Sequence, residues 1–281
     1  MKAYGFKIEM YGDTSVLPEW IGSAVRGAIG TELIKLRCIY DKMSCDDCLS
    51  VFECSAKKML LTSDTRDSQL SVNPYVVRNC IAFENRISFE IILFGDGMSC
   101  AGDIFRVLMS GLTLFHEKFR LCSVTDIFTS NQIYNGFIWN DFEPFEIEKQ
   151  SFGSGELTVT FTTPWINKSQ KKRTDFDYFI RACIRRATSA MKACDIELCI
   201  DFNKLFSHAK SVETLSQSLE LKPISRYSSR TDTKMNLNGF VGSIVFSGDF
   251  EEFSDFLSIC EYIGIGKLCV MGLGQFTIAY L

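Results

Sequence analysis

Residues 2–10 (Lys-Ala-Tyr-Gly-Phe-Lys-Ile-Glu-Met) alternate apolar and polar positions and predict a strand with one buried face. Pro18-Glu19 then opens a helix in which Trp20, Ile21, Val25, Ile29 and Leu33 recur at helical spacing. Strand periodicity returns over 75–83 and 86–94, and Gly95-Asp96-Gly97 ends the second run. A second helix is predicted over 101–119, with Ile104, Val107, Leu108, Leu112 and Phe115 on one side, and a strand follows over 121–130. That succession, β-α-β-β-α-β, is the ferredoxin-like plan.

Residues 135–155 are acidic and aromatic without strong periodicity, and a linker is expected there. Beyond it the pattern restarts, with a strand over 156–163, an amphipathic helix over 175–192 and strand residues over 231–247 around Asn238-Gly239. A short helix over 250–260 and terminal strands over 267–271 and 275–281 complete it. The expected fold class is α+β: tandem ferredoxin-like (RRM-like) domains over 1–150 and 151–281, with a four-cysteine metal knuckle inserted in the first. The two halves show no sequence repeat, so the duplication is read from element order alone.

A chain of 281 residues is long enough for two cores, and 46% hydrophobic with 23% charged residues is ordinary for a soluble protein. The N-terminus lacks the apolar core of a signal peptide, and no apolar run approaches the roughly 20 residues of a membrane span. A cytoplasmic protein with no membrane partner is expected. Most of the 24 phenylalanines are expected in the core, with a few left as stacking faces. The net charge of −4 is unevenly spread: residues 165–235 carry +6 and the remainder −10, which allows a local nucleic-acid face.

Twelve cysteines without a secretion signal point to reduced thiols or metal rather than disulfides. Four of them, Cys38, Cys45, Cys48 and Cys54, fall within 17 residues. The Cys45-x2-Cys48 pair forms a knuckle and the flanking thiols can close a tetrahedron, so a structural zinc is expected; four thiolates also suit an iron–sulfur cluster. No catalytic metal is expected.

Near the C-terminus, Gly264/Gly266 and Gly272/Gly274 flank Lys267. Such glycines permit positive φ and close approach, and successive N–H groups in such loops can face phosphate oxygens. Leu268 stands where a nucleotide-binding P-loop needs Ser or Thr, so that motif is excluded. Spacing alone favours a tight turn leading into a terminal strand.

The ordered set of Gly239-Phe-Val-Gly242, Gly264-Ile-Gly-Lys267 and Gly272-Leu-Gly274 resembles the C-terminal signature of the CRISPR repeat-processing endoribonucleases of the RAMP superfamily. Val25-Arg-Gly-Ala-Ile-Gly30, Phe161-Thr-Thr-Pro-Trp165 and Arg226-Tyr-Ser-Ser-Arg230 with Lys234-Met235 fit the same family in order. The resemblance implies two ferredoxin-like domains and metal-independent cleavage of CRISPR repeat RNA. In that reaction a 2′-hydroxyl attacks and a 2′,3′-cyclic phosphate forms, which needs a base, an acid and a cation near one phosphate. Of the two histidines, His116 is expected at the end of the second helix, whereas His208 lies in the basic half and is the better candidate. Tyr227 and Lys234 complete the catalytic set. Arg26, Arg226, Ser228, Arg230, Gly264, Gly266, Lys267, Gly272 and Gly274 form the RNA-binding set. Gly264 stands where relatives often carry a histidine, which leaves open a second reading: a catalytically silent RNA-binding subunit of a CRISPR effector complex, with other subunits as partners.

Overall fold

The computed structural model describes residues 1–38, 45, 48, 53–60, 72–167, 173–228 and 233–281, without the side chains of 226–228 and 233–236. The chain divides into two compact units. One comprises Lys2–Glu146 with Ala193–Asp195, and the other comprises Met1, Ile147–Lys192 and Ile196–Leu281.

The first unit contains β1 (Lys2–Tyr11), α1 (Gly22–Arg37), α2 (Ser55–Leu60), β2 (Tyr75–Phe83) and β3 (Arg86–Phe94). It continues with α3 (Ala101–Ser110), β4 (Leu112–Leu114), β5 (Glu117–Asp126), β6 (Gln132–Tyr134) and β7 (Phe145–Glu146). Its antiparallel sheet runs β2-β3-β1-β5-β4, with β6 on β5 and β7 on β1, so β1 is central as the ferredoxin-like plan requires. Alternation along β1 and β3 turns Phe6, Ile8, Met10, Ile87, Phe89 and Ile91 into a core shared with Val25, Ile29 and Leu33 of α1 and Ile104 and Leu108 of α3. Burying such aliphatic and aromatic side chains stabilises by roughly 1.5–3 kcal/mol each.

The second helix is shorter than its periodicity predicts. Gly111 adopts φ +86°, its N–H bonds back to the Leu108 carbonyl, and α3 stops at Ser110. Leu112 and Leu114 keep inward positions, but on a strand. Phe115 and His116, both at positive φ, make the two-residue turn into β5. His116 is therefore a hairpin-turn residue rather than a helix-end one.

The second unit contains β8 (Ser154–Trp165), α4 (Phe176–Ala193), α5 (Phe202–Ala209), β9 (Glu213–Ser228), β10 (Thr233–Asp249), α6 (Ser254–Ile263) and β11 (Phe276–Tyr280). Its sheet runs β11-β8-β10-β9, the same strand order as β5-β1-β3-β2. Both units thus carry antiparallel sheets of ferredoxin-like topology. Leu157, Val159 and Phe161 of β8 alternate inward onto an aromatic core of Phe176, Phe179, Phe246, Phe250, Phe253 and Phe276. Residues 267–271 do not form the expected strand: Cys269–Met271 is a single 3-10 turn bounded by Leu268 and Gly272, both left-handed. Among the described residues, no helix is long and apolar enough to cross a membrane.

Candidate nucleic-acid interface

β9 and β10 pair over nearly their whole length, from Glu213↔Ser247 to Ser228↔Thr233, with a single irregularity. At about 3.3 Å per residue the paired stretch from Glu213 to Tyr227 spans about 45 Å. The hairpin end gathers much of the basic cluster: Tyr227 is paired directly with Lys234, Arg226 with Met235 and Ser228 with Thr233. Arg230 lies outside the described residues.

The glycine-rich turn sits lower on this hairpin. Lys267 N–H donates to the Ile166 carbonyl (2.9 Å), Gly274 N–H to Pro164 (3.0 Å), and Ile265 N–H to Gly274 (2.9 Å). Gly264, Gly266, Gly272 and Gly274 all have positive φ. A Cβ on Gly274 would lie 1.8 Å from the Ile265 oxygen, and one on Gly266 would lie 2.7 Å from the Ile166 oxygen. These glycines are needed because the loop crosses itself and lies flat on the end of β8. Gly264, Gly272 and Gly274 are buried, while Gly266 and Lys267 are exposed. The N–H groups of Ile265, Lys267 and Gly274 are thus spent inside the fold, and the outward offering of the turn is Lys267 with the Gly266 backbone. Gly239 of β10 packs on Pro164 and Ile166, which sets the turn about five residues, or roughly 17 Å, from Lys234 along β10.

His208 belongs elsewhere. It lies near the C-terminus of α5, not in a loop; Asp201 caps that helix by accepting from Asn203 N–H (3.0 Å) and Lys204 N–H (3.2 Å). The His208 Nδ1 is 2.9 Å from Glu252 Oε2, and Lys204 Nζ donates to Glu252 Oε1 (3.1 Å). The His208 bond, then the Lys204 bond, hold the Glu252 carboxyl below its ordinary value. Because α5 leads into β9 at Glu213, His208 stands at the opposite end of the hairpin from Tyr227 and Lys234. About 45 Å of strand cannot be bridged by side chains. The structure does not bring the expected catalytic trio together.

Arg26 of α1 donates from Nε to the buried Tyr75 hydroxyl (2.9 Å), a bond that fastens α1 to β2. Burial pushes the Tyr75 phenol up, against the pull of Arg26.

The cysteine segment begins directly after α1 and ends directly before α2. Burial pushes the Cys45 thiol up, Cys54, Cys38 and Cys48 push the same way, and Lys57 opposes them. The four-thiolate donor set suits zinc chemically, yet among the described residues no three metal-ligating side chains stand close enough to hold an ion. What does close this segment is Asp103 of α3. It accepts from Arg37, the residue before Cys38, and from Ser55, the residue after Cys54. Burial raises the Asp103 carboxyl, but the Arg37 and Ser55 bonds outweigh it and leave the group below its ordinary value.

Sequence reasoning missed a row of hydroxyls. Thr277 of β11, Thr160 of β8, Ser243 of β10 and Ser218 of β9 lie in register across all four strands, and Thr160 Oγ1 is 2.8 Å from Ser243 Oγ. The signal was present in Thr158-Val-Thr160-Phe-Thr162, where every position alternate to the core residues is threonine.

Two ferredoxin-like units and a glycine-rich C-terminal turn are the features that the resemblance to RAMP proteins implied. Residues 1–144 match a family model described as an N-terminal domain, and residues 159–276 match that of the CRISPR-associated endoribonuclease Cas6. The second unit is thus similar to the family of CRISPR-associated endoribonucleases Cas6. A Cas6 product complex has the same fold over 99% of this chain and 100% of its own (TM-score 0.67, 12% identity). Thermus thermophilus Cas6 does so over 99% and 98% (0.62, 12%). An uncharacterized protein of Archaeoglobus fulgidus is 26% identical, covering 97% of this chain and 96% of its own length. A chain of a partial Cas6-RT-Cas1–Cas2 complex shares the fold over all of this chain and 46% of its own (0.57, 10%).

Proposed function

We propose that this protein is a metal-independent endoribonuclease that cuts CRISPR repeat RNA by 2′-hydroxyl attack, leaving a 2′,3′-cyclic phosphate. The observation that carries the reading is the direct pairing of Tyr227 with Lys234 beside Arg226 and Ser228, at the end of a hairpin within the matched Cas6 domain. Solvent takes the proton of the attacking 2′-hydroxyl, the phenol supplies an acid for the leaving 5′-oxygen, and the two cations stabilise charge developing on the phosphate. Lys267 and the Gly266 backbone take a phosphate further down the same hairpin. Gly264, Gly272 and Gly274 act by shaping that turn, and Arg26 acts by holding α1. His208 serves as a clasp between α5 and Glu252 rather than as the base.

The four cysteines are proposed to close on one structural zinc ion per chain, apart from the reaction. The support is the spacing of the four thiols within 17 residues between α1 and α2. CRISPR repeat RNA and its cleaved product are the proposed partners.

The test uses Tyr227→Phe, Lys234→Ala and His208→Ala with labelled repeat RNA under single-turnover conditions. The first two are expected to slow cleavage by about 10²–10³-fold and the third to leave it within about threefold. Loss of cleavage in His208→Ala, with the hairpin variants active, would overturn the assignment.

A further inference from the structure

The open face of the first unit's sheet carries a pattern that the repeat-cutting reading does not use. Phe83 of β2 pairs with Arg86 of β3, Arg86 with Tyr11 of β1, and Tyr11 with Arg120 of β5. Residues paired directly across an antiparallel sheet project to the same face. The neighbours Ile87, Met10 and Phe119 are buried in the core, so this row faces outward. Phe83 is 65% exposed and Tyr11 56% exposed, and both arginines are exposed. Aromatic ring and guanidinium thus alternate across four strands, at about 4.8 Å per strand.

The row is held rigidly. Glu84 and Asn85, both at positive φ, form the two-residue turn between Phe83 and Arg86. The Asn85 carbonyl accepts from Gly12 N–H (2.9 Å), and Asn85 N–H donates to Thr14 Oγ1 (3.3 Å). Further along this face two cations are neutralised within the sheet: Arg78 pairs with Glu90 (3.1 Å), and Lys7 with Glu9 (3.5 Å), which also accepts from Ser123 (3.1 Å). Arg86 and Arg120, by contrast, form no ion pair among the described residues.

We propose that the Phe83–Arg86–Tyr11–Arg120 row is a binding platform for single-stranded RNA, taking bases on Phe83 and Tyr11 and phosphates on Arg86 and Arg120. Aromatic faces accept any base, and guanidinium groups accept the intervening phosphates. The surplus of positive charge along the row matches a polyanion. The proposal rests on the RNA-handling reading, and it assigns this face a single-stranded stretch distinct from the segment cut at the hairpin end.

The experiment measures anisotropy of a labelled single-stranded 15-mer RNA carrying 5-iodouridine, with the full chain, at two salt concentrations, and maps photocrosslinks. Tyr11→Ala/Phe83→Ala is expected to weaken binding by about tenfold or more. Arg86→Ala/Arg120→Ala is expected to lower the salt slope by about 1.4, since each single-strand phosphate contact contributes about 0.7. Crosslinks are expected at Tyr11 or Phe83, and all four variant residues are exposed, so thermal unfolding should be unchanged. Unchanged affinity and salt slope in both variants, or crosslinks confined to the second unit, would overturn the platform. So would a change in self-association with no change in RNA binding. If these residues bind the oligonucleotide but the protein cuts no repeat, the nuclease reading fails and the platform stands. If cleavage proceeds and the variants bind the oligonucleotide normally, the reverse holds.

Discussion

Asp103 shows how much one side chain can hold. It is 4% exposed and joins the residue before the cysteine segment, Arg37, to the residue after it, Ser55. Its carboxyl is held below the ordinary value, so its stabilising effect is fully present above the unfolded value near 4 and is lost as pH falls through the lower folded value. Asp103→Asn should therefore cost about 2 kcal/mol at neutral pH, discounted because Arg37 is partly exposed. The gap from wild type should narrow toward pH 3 in urea melts; a gap constant with pH would contradict the assignment. At Gly274 the constraint is steric. Gly274→Ala places a methyl 1.8 Å from the Ile265 oxygen at φ +66°, and a cost of about 2–4 kcal/mol is expected. Gly102→Ala on α3 meets nothing within 4 Å and should instead stabilise by about 0.5–1 kcal/mol. Paired thermal melts check both signs.

Among the elements, the β9–β10 hairpin decides what the sequence can reveal. The strand pattern of β1, β3 and β8 was legible because one face of each is packed on a core and alternation is enforced. β9 is an edge strand whose residues are largely exposed, so periodicity could not announce its 16-residue length. Without that length, His208, Tyr227 and Lys234 read as neighbours, whereas the register pairs Tyr227 with Lys234 and leaves His208 at the other end. Residues 101–119 misled for a related reason: Leu112 sits inward in either a helix or a short strand, and only Gly111 marks the break. The glycine pairs were legible as a tight turn but not as the self-crossing loop that buries Gly264, Gly272 and Gly274. For the cysteine segment, closure on metal predicts one zinc per chain by elemental analysis. Cys45→Ser/Cys48→Ser should lose that zinc while repeat cleavage persists; zinc-free wild-type protein would end the proposal.

For the molecule as a whole, net charge was a poor guide. At −4 overall the protein still presents exposed cations at the Lys267 turn and on the open face of the first sheet. Binding of repeat RNA should accordingly weaken steeply with salt. The central claim is that the chain itself cuts repeat RNA without metal. It is tested most directly by incubating purified protein and excess EDTA with labelled repeat RNA, beside the same RNA carrying a single 2′-deoxy nucleotide at the cut site. The account predicts one cut ending in a 2′,3′-cyclic phosphate, abolished by the deoxy substitution. Tight binding with no cut, or a cut that needs added divalent metal, would contradict it.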